Sequence, residues 1–102
     1  MLNSNLPEPE LLKALLEPLL EDFQYWFSRA QSLLEAKEIS FLDAEEQADL
    51  LGRIHQAQQE VNAVQSLFKA TGGKAGVEAA VLMPWHHLVT ECWQVMMQSR
   101  LG

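Results

Sequence analysis

The sequence predicts an all-α protein, a three-helix bundle made of a long antiparallel helical hairpin and a shorter third helix. Two apolar stretches carry this prediction, because both advance by alternating steps of four and three residues, the spacing of a seam between packed helices. The stretches mirror each other about Ser40, so a chain that folds back there pairs them in order. They consist of Leu12, Leu16, Leu19, Phe23, Trp26 and Ala30, and of Leu50, Ile54, Ala57, Val61, Val64 and Phe68.

Length and composition narrow the class of protein. A chain of 102 residues is expected to form one domain. Its hydrophobic fraction of 48% is too high for a disordered chain. The formal net charge of −7 disfavours binding to nucleic-acid backbones and to anionic lipid surfaces. We therefore expect a single helical domain that binds no nucleic acid.

The sequence also predicts a cellular compartment. Cys92 is the only cysteine, so no disulfide can form within the chain, and a reducing compartment fits best. No apolar run approaches the roughly 20 residues that cross a bilayer. The first ten residues lack the basic and apolar parts of a signal peptide. We expect a cytoplasmic protein without a transmembrane segment, and peripheral association with a membrane complex stays open.

The first helix is predicted over residues 8–36. Pro9 suits its first turn, where the missing N–H costs nothing. The ring of Pro18 is expected to clash with the carbonyl of Ala14 and to remove one hydrogen bond. Because the seam keeps its phase across this position, we expect a kink near Pro18. A separate short helix over residues 8–17 is the alternative.

The second helix is predicted over residues 43–70. Asp43 and Glu46 have the spacing of a capping box, and the pair of Ser40 and Asp43 is the rival start. Asp49 and Arg53 are spaced as a favourable ion pair on one helix face. The glycines that follow, at 72, 73 and 76, indicate a helix stop and a connection.

The connection is predicted over residues 71–83, with 77–83 either a short helical turn or extended. Pro84 fits the first turn of a third helix that ends near residue 99. This helix, about half as long as the others, is apolar over most of its circumference. The first helix has a second apolar column beside its seam. We expect this column, together with Leu51 and Leu67 of the second helix, to form a groove that receives the third helix. The column consists of Leu20, Phe27 and Leu34.

Surplus apolar surface predicts a binding partner. The two long helices are expected to extend past the third one, and exposed apolar side chains on such a bundle mark contact sites. Trp93 with Met96 and Met97 would form a soft, adaptable surface. We predict partner contacts at Leu20, Phe27, Trp93, Met96 and Met97, with another protein or with a second copy of the chain in a homodimer.

Candidate chemistry is sparse. His87 and Glu91 share a helical face near His86 and Cys92 and could share a metal ion. Two ligands do not make a metal site. A third ligand would have to come from His55 or from a second subunit. Cys92 faces apolar neighbours, which favours a buried thiol over a nucleophile. We predict no enzyme, no catalytic residue, no metal and no cofactor. The alternative function is a small carrier of a tetrapyrrole or metal ion held by His55, His86 or His87.

Several segments also resemble a known family. They are LLEPLLEDF at 15–23, QADLL at 47–51, LFKAT at 67–71, LMPWH at 82–86 and TECW at 90–93. Together they resemble small uncharacterised proteins of cyanobacteria that share a domain of unknown function. The resemblance covers nearly the whole chain and implies no activity, cofactor or catalytic residue. It implies the cytoplasm of a photosynthetic bacterium and suggests the cytoplasmic face of thylakoids, beside photosynthetic complexes.

Overall fold

Three helices form the part of the chain that the computed structural model describes, residues 9–72 and 79–101. Helix α1 is Pro9–Ala36, α2 is Ala44–Ala70 and α3 is Ala79–Leu101, and no strand occurs among these residues. The molecule is elongated, with extents of 56 × 24 × 18 Å. Helix α1 packs against both other helices, and α2 and α3 touch each other least. The predicted three-helix bundle is confirmed.

Helix α1 passes through Pro18 as one continuous helix, so the alternative of a separate short helix is wrong. Leu16 and Leu20, on either side of Pro18, are both buried. Their burial on one face compensates for the backbone hydrogen bond that proline cannot donate. The kink near Pro18 stays a prediction.

The hairpin seam is as predicted on α2, except that Val64 is only partly buried, and it is shifted on α1. Buried positions on α2 are Leu50, Ile54, Ala57, Val61 and Phe68. Buried positions on α1 are Leu16, Leu20, Phe23, Phe27, Ala30 and Leu34. Leu19 is exposed, contrary to its predicted place in the seam, and Trp26 is only partly buried, although it packs against the core. The residue pairs expected across the seam stay a prediction. Helix α1 packs against two helices, and its most buried face therefore lies between its two apolar columns. The side chain of Leu12 lies outside the described residues.

Asp43 begins α2 as predicted. The Glu46 backbone N–H donates to Asp43 Oδ1 at 2.7 Å, and the Asp43 N–H donates to Glu46 Oε1 at 2.9 Å. Both halves of the capping box are formed. The rival start at Ser40 is therefore wrong.

A single glutamine on α2 holds the turn between α1 and α2. Gln47 Nε2 donates to the backbone carbonyls of Leu34 and Lys37, both at 2.9 Å. Gln47 Oε1 accepts from the N–H of Ile39, also at 2.9 Å, and Ile39 itself is buried. The amide thus bonds carbonyls at the end of α1 that have no partner within the helix.

Glutamines also close one edge of the hairpin. Gln24 Nε2 donates to the Gln58 carbonyl at 3.1 Å and to Gln65 Oε1 at 3.3 Å. Gln58 Nε2 donates to Gln31 Oε1 at 2.9 Å. We call these four residues the amide edge. It joins α1 to α2 without α3.

Helix α3 starts earlier than predicted. Pro84 lies inside the helix, and residues 79–83, expected in the connection, are helical. The remaining connection, residues 73–78, lies outside the described residues. Leu82, in the first turns of α3, packs against the core, and this contact favours helix despite the proline that follows two residues later. Helix α3 has 23 residues, or roughly 35 Å, whereas α1 has 28 residues. It is therefore longer than the predicted half of the length of α1.

Aromatic contacts give the direction of α3. The rings of Trp85 and Phe23 meet edge to face with centroids 5.7 Å apart. Further along both helices, Trp93 meets Trp26 at 5.6 Å. Because the contacts follow the same order in both helices, α3 runs parallel to α1. The chain therefore passes up, down and up through the bundle.

The flank of α2 that faces α3 is polar, contrary to prediction. Arg53 Nη1 lies 2.9 Å from Glu91 Oε2, and Arg53 also forms the predicted pair with Asp49 at 3.0 Å. Leu51 lies instead near the turn, and Leu67 is exposed. Because α3 packs mainly on α1, it needs no apolar groove on α2.

Trp85 links α3 to α2 through a bond that depends on pH. Its indole N–H donates to Glu60 Oε1 at 2.9 Å. This bond, helped by a second one from Gln56, lowers the pKa of Glu60 below its usual value. A carboxylate whose pKa is lowered by folding stabilises the fold above its unfolded pKa, and the contribution is lost as pH falls through the folded value.

We therefore expect acid to cost the parent protein more stability than it costs a Trp85→Phe variant. The difference in unfolding free energy between the two should shrink as pH falls below about 4, because a protonated Glu60 accepts the indole bond less well. Urea unfolding at several pH values measures it. A Glu60→Gln variant is the control and should show the same flattened dependence. Parallel stability curves for all three proteins would contradict the assignment.

Candidate partner-binding groove

An open groove runs between α1 and α3, on the part of the bundle nearest the α1–α2 turn. Its volume is about 850 Å³. We call it the α1–α3 groove. It is lined by Tyr25, Trp26, Arg29, Leu33 and Lys37, and on the other side by Trp93, Met96, Met97, Ser99 and Arg100.

Helical spacing places these side chains together. On α1, residues 26, 29 and 33 follow one another at steps of three and four. On α3, residues 96 and 97 both lie three or four residues from 93 and from 100. Side chains at such steps share one face of a helix. The parallel course of α1 and α3 then brings the two faces side by side as the walls of the groove.

Three aromatic rings form a connected platform in the groove. The ring of Trp26 meets Tyr25 at 5.0 Å and Trp93 at 5.6 Å, both nearly perpendicular. Edge-to-face contacts of this kind are favourable and hold the rings in place. Trp93 nevertheless keeps 39% of its surface exposed, and Met97 keeps 64%. The groove thus offers a fixed aromatic surface beside a flexible methionine.

Basic side chains border this apolar surface. The Arg29 guanidinium lies 5.7 Å from the centre of the Tyr25 ring, and its Nη1 donates to the Tyr25 hydroxyl at 3.1 Å. Lys37 and Arg100 lie at the end of the groove nearest the turn. Among the described residues, no acidic side chain lines the groove. The groove therefore combines an apolar surface with a positive border.

Two of the five predicted contact residues belong to the core instead. Leu20 is 1% exposed and Phe27 is fully buried. Both face the interior between α1 and its two neighbours, so a partner of the folded bundle has no access to them. Their prediction as partner contacts is corrected here. Trp93, Met96 and Met97 line the groove, and their contact with a partner stays a prediction.

Sequence reasoning missed the basic border of the groove. Arg29 and Lys37 are eight residues apart, Arg100 is distant from both in the chain, and the three follow no local motif. Only the placement of α3 along α1 brings Arg100 to the surface of the other two. The half-exposed position of Tyr25 was predictable, because this residue falls off the seam.

The histidines form no cluster in the described part of the chain. His86 and His87 are both exposed, with ring centroids 6.4 Å apart, and His55 lies 3.9 Å from a carboxylate oxygen of Glu35. Among the described residues no group of three or more histidine, cysteine or acidic side chains could hold a metal ion. The carrier hypothesis gains no support from this arrangement.

Cys92 lies in the core, as predicted for a structural thiol. Burial, helped by the nearby charge of Glu91, raises the pKa of the thiol to about 12. The thiol therefore stays protonated at neutral pH, and a protonated, inaccessible thiol is a poor nucleophile. Its role visible in the structure is packing.

Comparisons with known proteins place the chain in a family. None of the helices in residues 9–72 and 79–101 is long and apolar enough to span a membrane. No curated protein and no solved structure matches the chain significantly. The family described as "Protein of unknown function (DUF2605)" matches residues 6–101, in agreement with the resemblance to a domain of unknown function. The chain therefore belongs to the DUF2605 family of proteins of unknown function.

Proposed function

We propose that this protein is a non-enzymatic interaction module that binds another protein through the α1–α3 groove, as an adaptor or assembly factor. The observation that supports this proposal is that Trp93 and Met97 are exposed beside the partly buried Met96, and that all three line the groove. Tryptophan is enriched among the residues that dominate binding energy. Adaptable methionine surfaces are typical of binding proteins that accommodate helices.

The cellular setting is part of the proposal. The resemblance to cyanobacterial proteins supports the cytoplasm of such a cell, with photosynthetic complexes at the cytoplasmic face of thylakoids as the assembly that the module serves. A second copy of the chain is the other partner that the apolar groove would accept.

The test is a double variant, Trp93→Ala with Met97→Ala. It is expected to abolish complex formation, because it removes the most exposed apolar side chains of α3 in the groove, while the circular dichroism of the helices stays nearly unchanged. Affinity purification from cells of the source organism compares the parent with the variant. A specific partner retained by the parent and lost from the variant is the expected result.

A matched control uses the opposite end of the bundle. Leu15 and Leu67 are also exposed, at 60% and 57%, and neither lines the groove. Leu15→Ala with Leu67→Ala is expected to retain the partner. The proposal fails if this control loses the partner as well, if the groove variant unfolds, or if the parent retains no protein and is a monomer in sedimentation.

A further inference from the structure

Three of the seven lysine and arginine side chains of the chain border the α1–α3 groove: Arg29, Lys37 and Arg100. None of them forms an ion pair with a carboxylate of the described residues, whereas Arg53, outside the groove, pairs with two. The groove is thus a positive region on a protein whose net charge is −7. We propose, on the premise that the groove is the protein-binding site, that its occupant is an acidic amphipathic helix of a partner protein.

The walls of the groove favour a helix over an extended segment. Both walls are α-helices, whose backbone N–H and C=O groups are bonded within each helix. An extended segment laid on the aromatic platform would lose water from its own backbone groups and find no partners for them, which is costly. A helix bonds its backbone internally and can place apolar side chains against Trp26, Trp93 and Met97.

The spread of the basic side chains favours several carboxylates over one anionic headgroup. Arg29 lies on α1 and Lys37 directly follows its last residue, so the eight residues between them correspond to roughly 12 Å along the helix axis. A fatty acid or a lipid carries its charge at one end and can therefore contact only one of these two basic side chains. A helix with acidic side chains on successive turns, roughly 5 Å apart, meets both. The same carboxylates would also reach Arg100 across the groove.

Two labelled peptides test the charge requirement. Both have about 15 residues, roughly 22 Å as a helix, and the same leucine and methionine face; one carries glutamates beside that face and the other lysines. Fluorescence anisotropy with the full-length protein is expected to show the glutamate peptide binding at least tenfold more tightly. The preference should weaken at high salt, because exposed charges are screened.

Charge-reversal variants assign the effect to the groove. Arg29→Glu with Arg100→Glu is expected to abolish the preference for the glutamate peptide or to reverse it. Lys13→Glu with Lys69→Glu changes the net charge of the protein equally, at two exposed positions that do not line the groove, and should leave the preference intact. Equal responses of the two variants would contradict the proposal, because they would indicate an effect of overall charge.

The remaining outcomes separate this proposal from the function on which it rests. If Trp93→Ala with Met97→Ala abolishes binding of both peptides and no charge preference exists, the groove binds protein but the acidic occupant is wrong. If the parent prefers vesicles of phosphatidylglycerol to the glutamate peptide, or self-associates through the groove, the acidic helix is also wrong. If neither peptide binds at up to about 1 mM and no partner is retained from cells, both proposals fail.

Discussion

A Leu20→Ala variant is expected to lose about 2–5 kcal/mol of unfolding free energy, the range for truncating a buried leucine. Leu20 is only 1% exposed and belongs to the central core cluster, so its removal leaves a cavity that α1, α2 and α3 cannot all close. Since a domain of this size is stable by roughly 5–15 kcal/mol, the variant should still fold. Urea unfolding followed by circular dichroism measures the difference.

Leu15→Ala is the matched control for this variant. The substitution is the same and lies on the same helix, but Leu15 is 60% exposed. We expect a change within about 0.5 kcal/mol, as for surface substitutions in general. Similar losses for Leu15 and Leu20 would show that the face of α1 that packs inward is wrongly assigned.

Gln47→Ala is expected to lower the unfolding free energy by about 3 kcal/mol, because three hydrogen bonds are lost and each contributes roughly 1 kcal/mol net. The destabilisation is expected at the turn, because the N–H of buried Ile39 and the carbonyl of Leu34 would both lose the Gln47 side-chain amide as their hydrogen-bond partner. Urea unfolding again gives the magnitude. Hydrogen exchange of the Ile39 amide should become faster, since local opening of the turn becomes easier.

Two further substitutions check this assignment. Gln59→Ala removes an exposed glutamine from the same helix and should change stability by at most about 0.5 kcal/mol. Gln47→Glu keeps the size of the side chain but replaces the donating NH₂ group with a carboxylate oxygen that faces two carbonyls. It is expected to destabilise at least as much as alanine. A Gln47→Glu variant as stable as the parent would refute the hydrogen-bond scheme.

Much of the hairpin could be predicted from local pattern. Local spacing predicts most of the seam of α2 and its capping box, since both depend on residues within a few turns of each other. Helix α1 has two apolar columns, and the sequence pattern alone does not indicate which of them is more deeply buried. Leu20 and Phe27 are buried because α3 packs on this side of α1. This is a contact between residues distant in the sequence, so local spacing does not predict it.

The predicted start of α3 at Pro84 is wrong for a related reason. Proline often occupies the first turn of a helix, and this local preference is what predicts a start at Pro84. In the structure, residues before Pro84 are helical because Leu82 gains contact with the core, and such tertiary packing outweighs local preference. The groove was partly predictable in the same sense. Trp93, Met96 and Met97 lie on one apolar helix, whereas its basic border needs two helices in register.

The amide edge determines on which side of the hairpin the third helix can pack. Gln24 and Gln31 precede Trp26 and Leu33 by two residues, so the two pairs point to nearly opposite sides of α1. In a mirror-image arrangement, α3 would lie on the glutamine side of the hairpin. The apolar helix would then bury the glutamine side-chain amides and remove them from water, which costs free energy. The glutamines thus select one topology of the bundle from the two that the same apolar pattern allows, and with it the surface on which Trp26 and Trp93 meet.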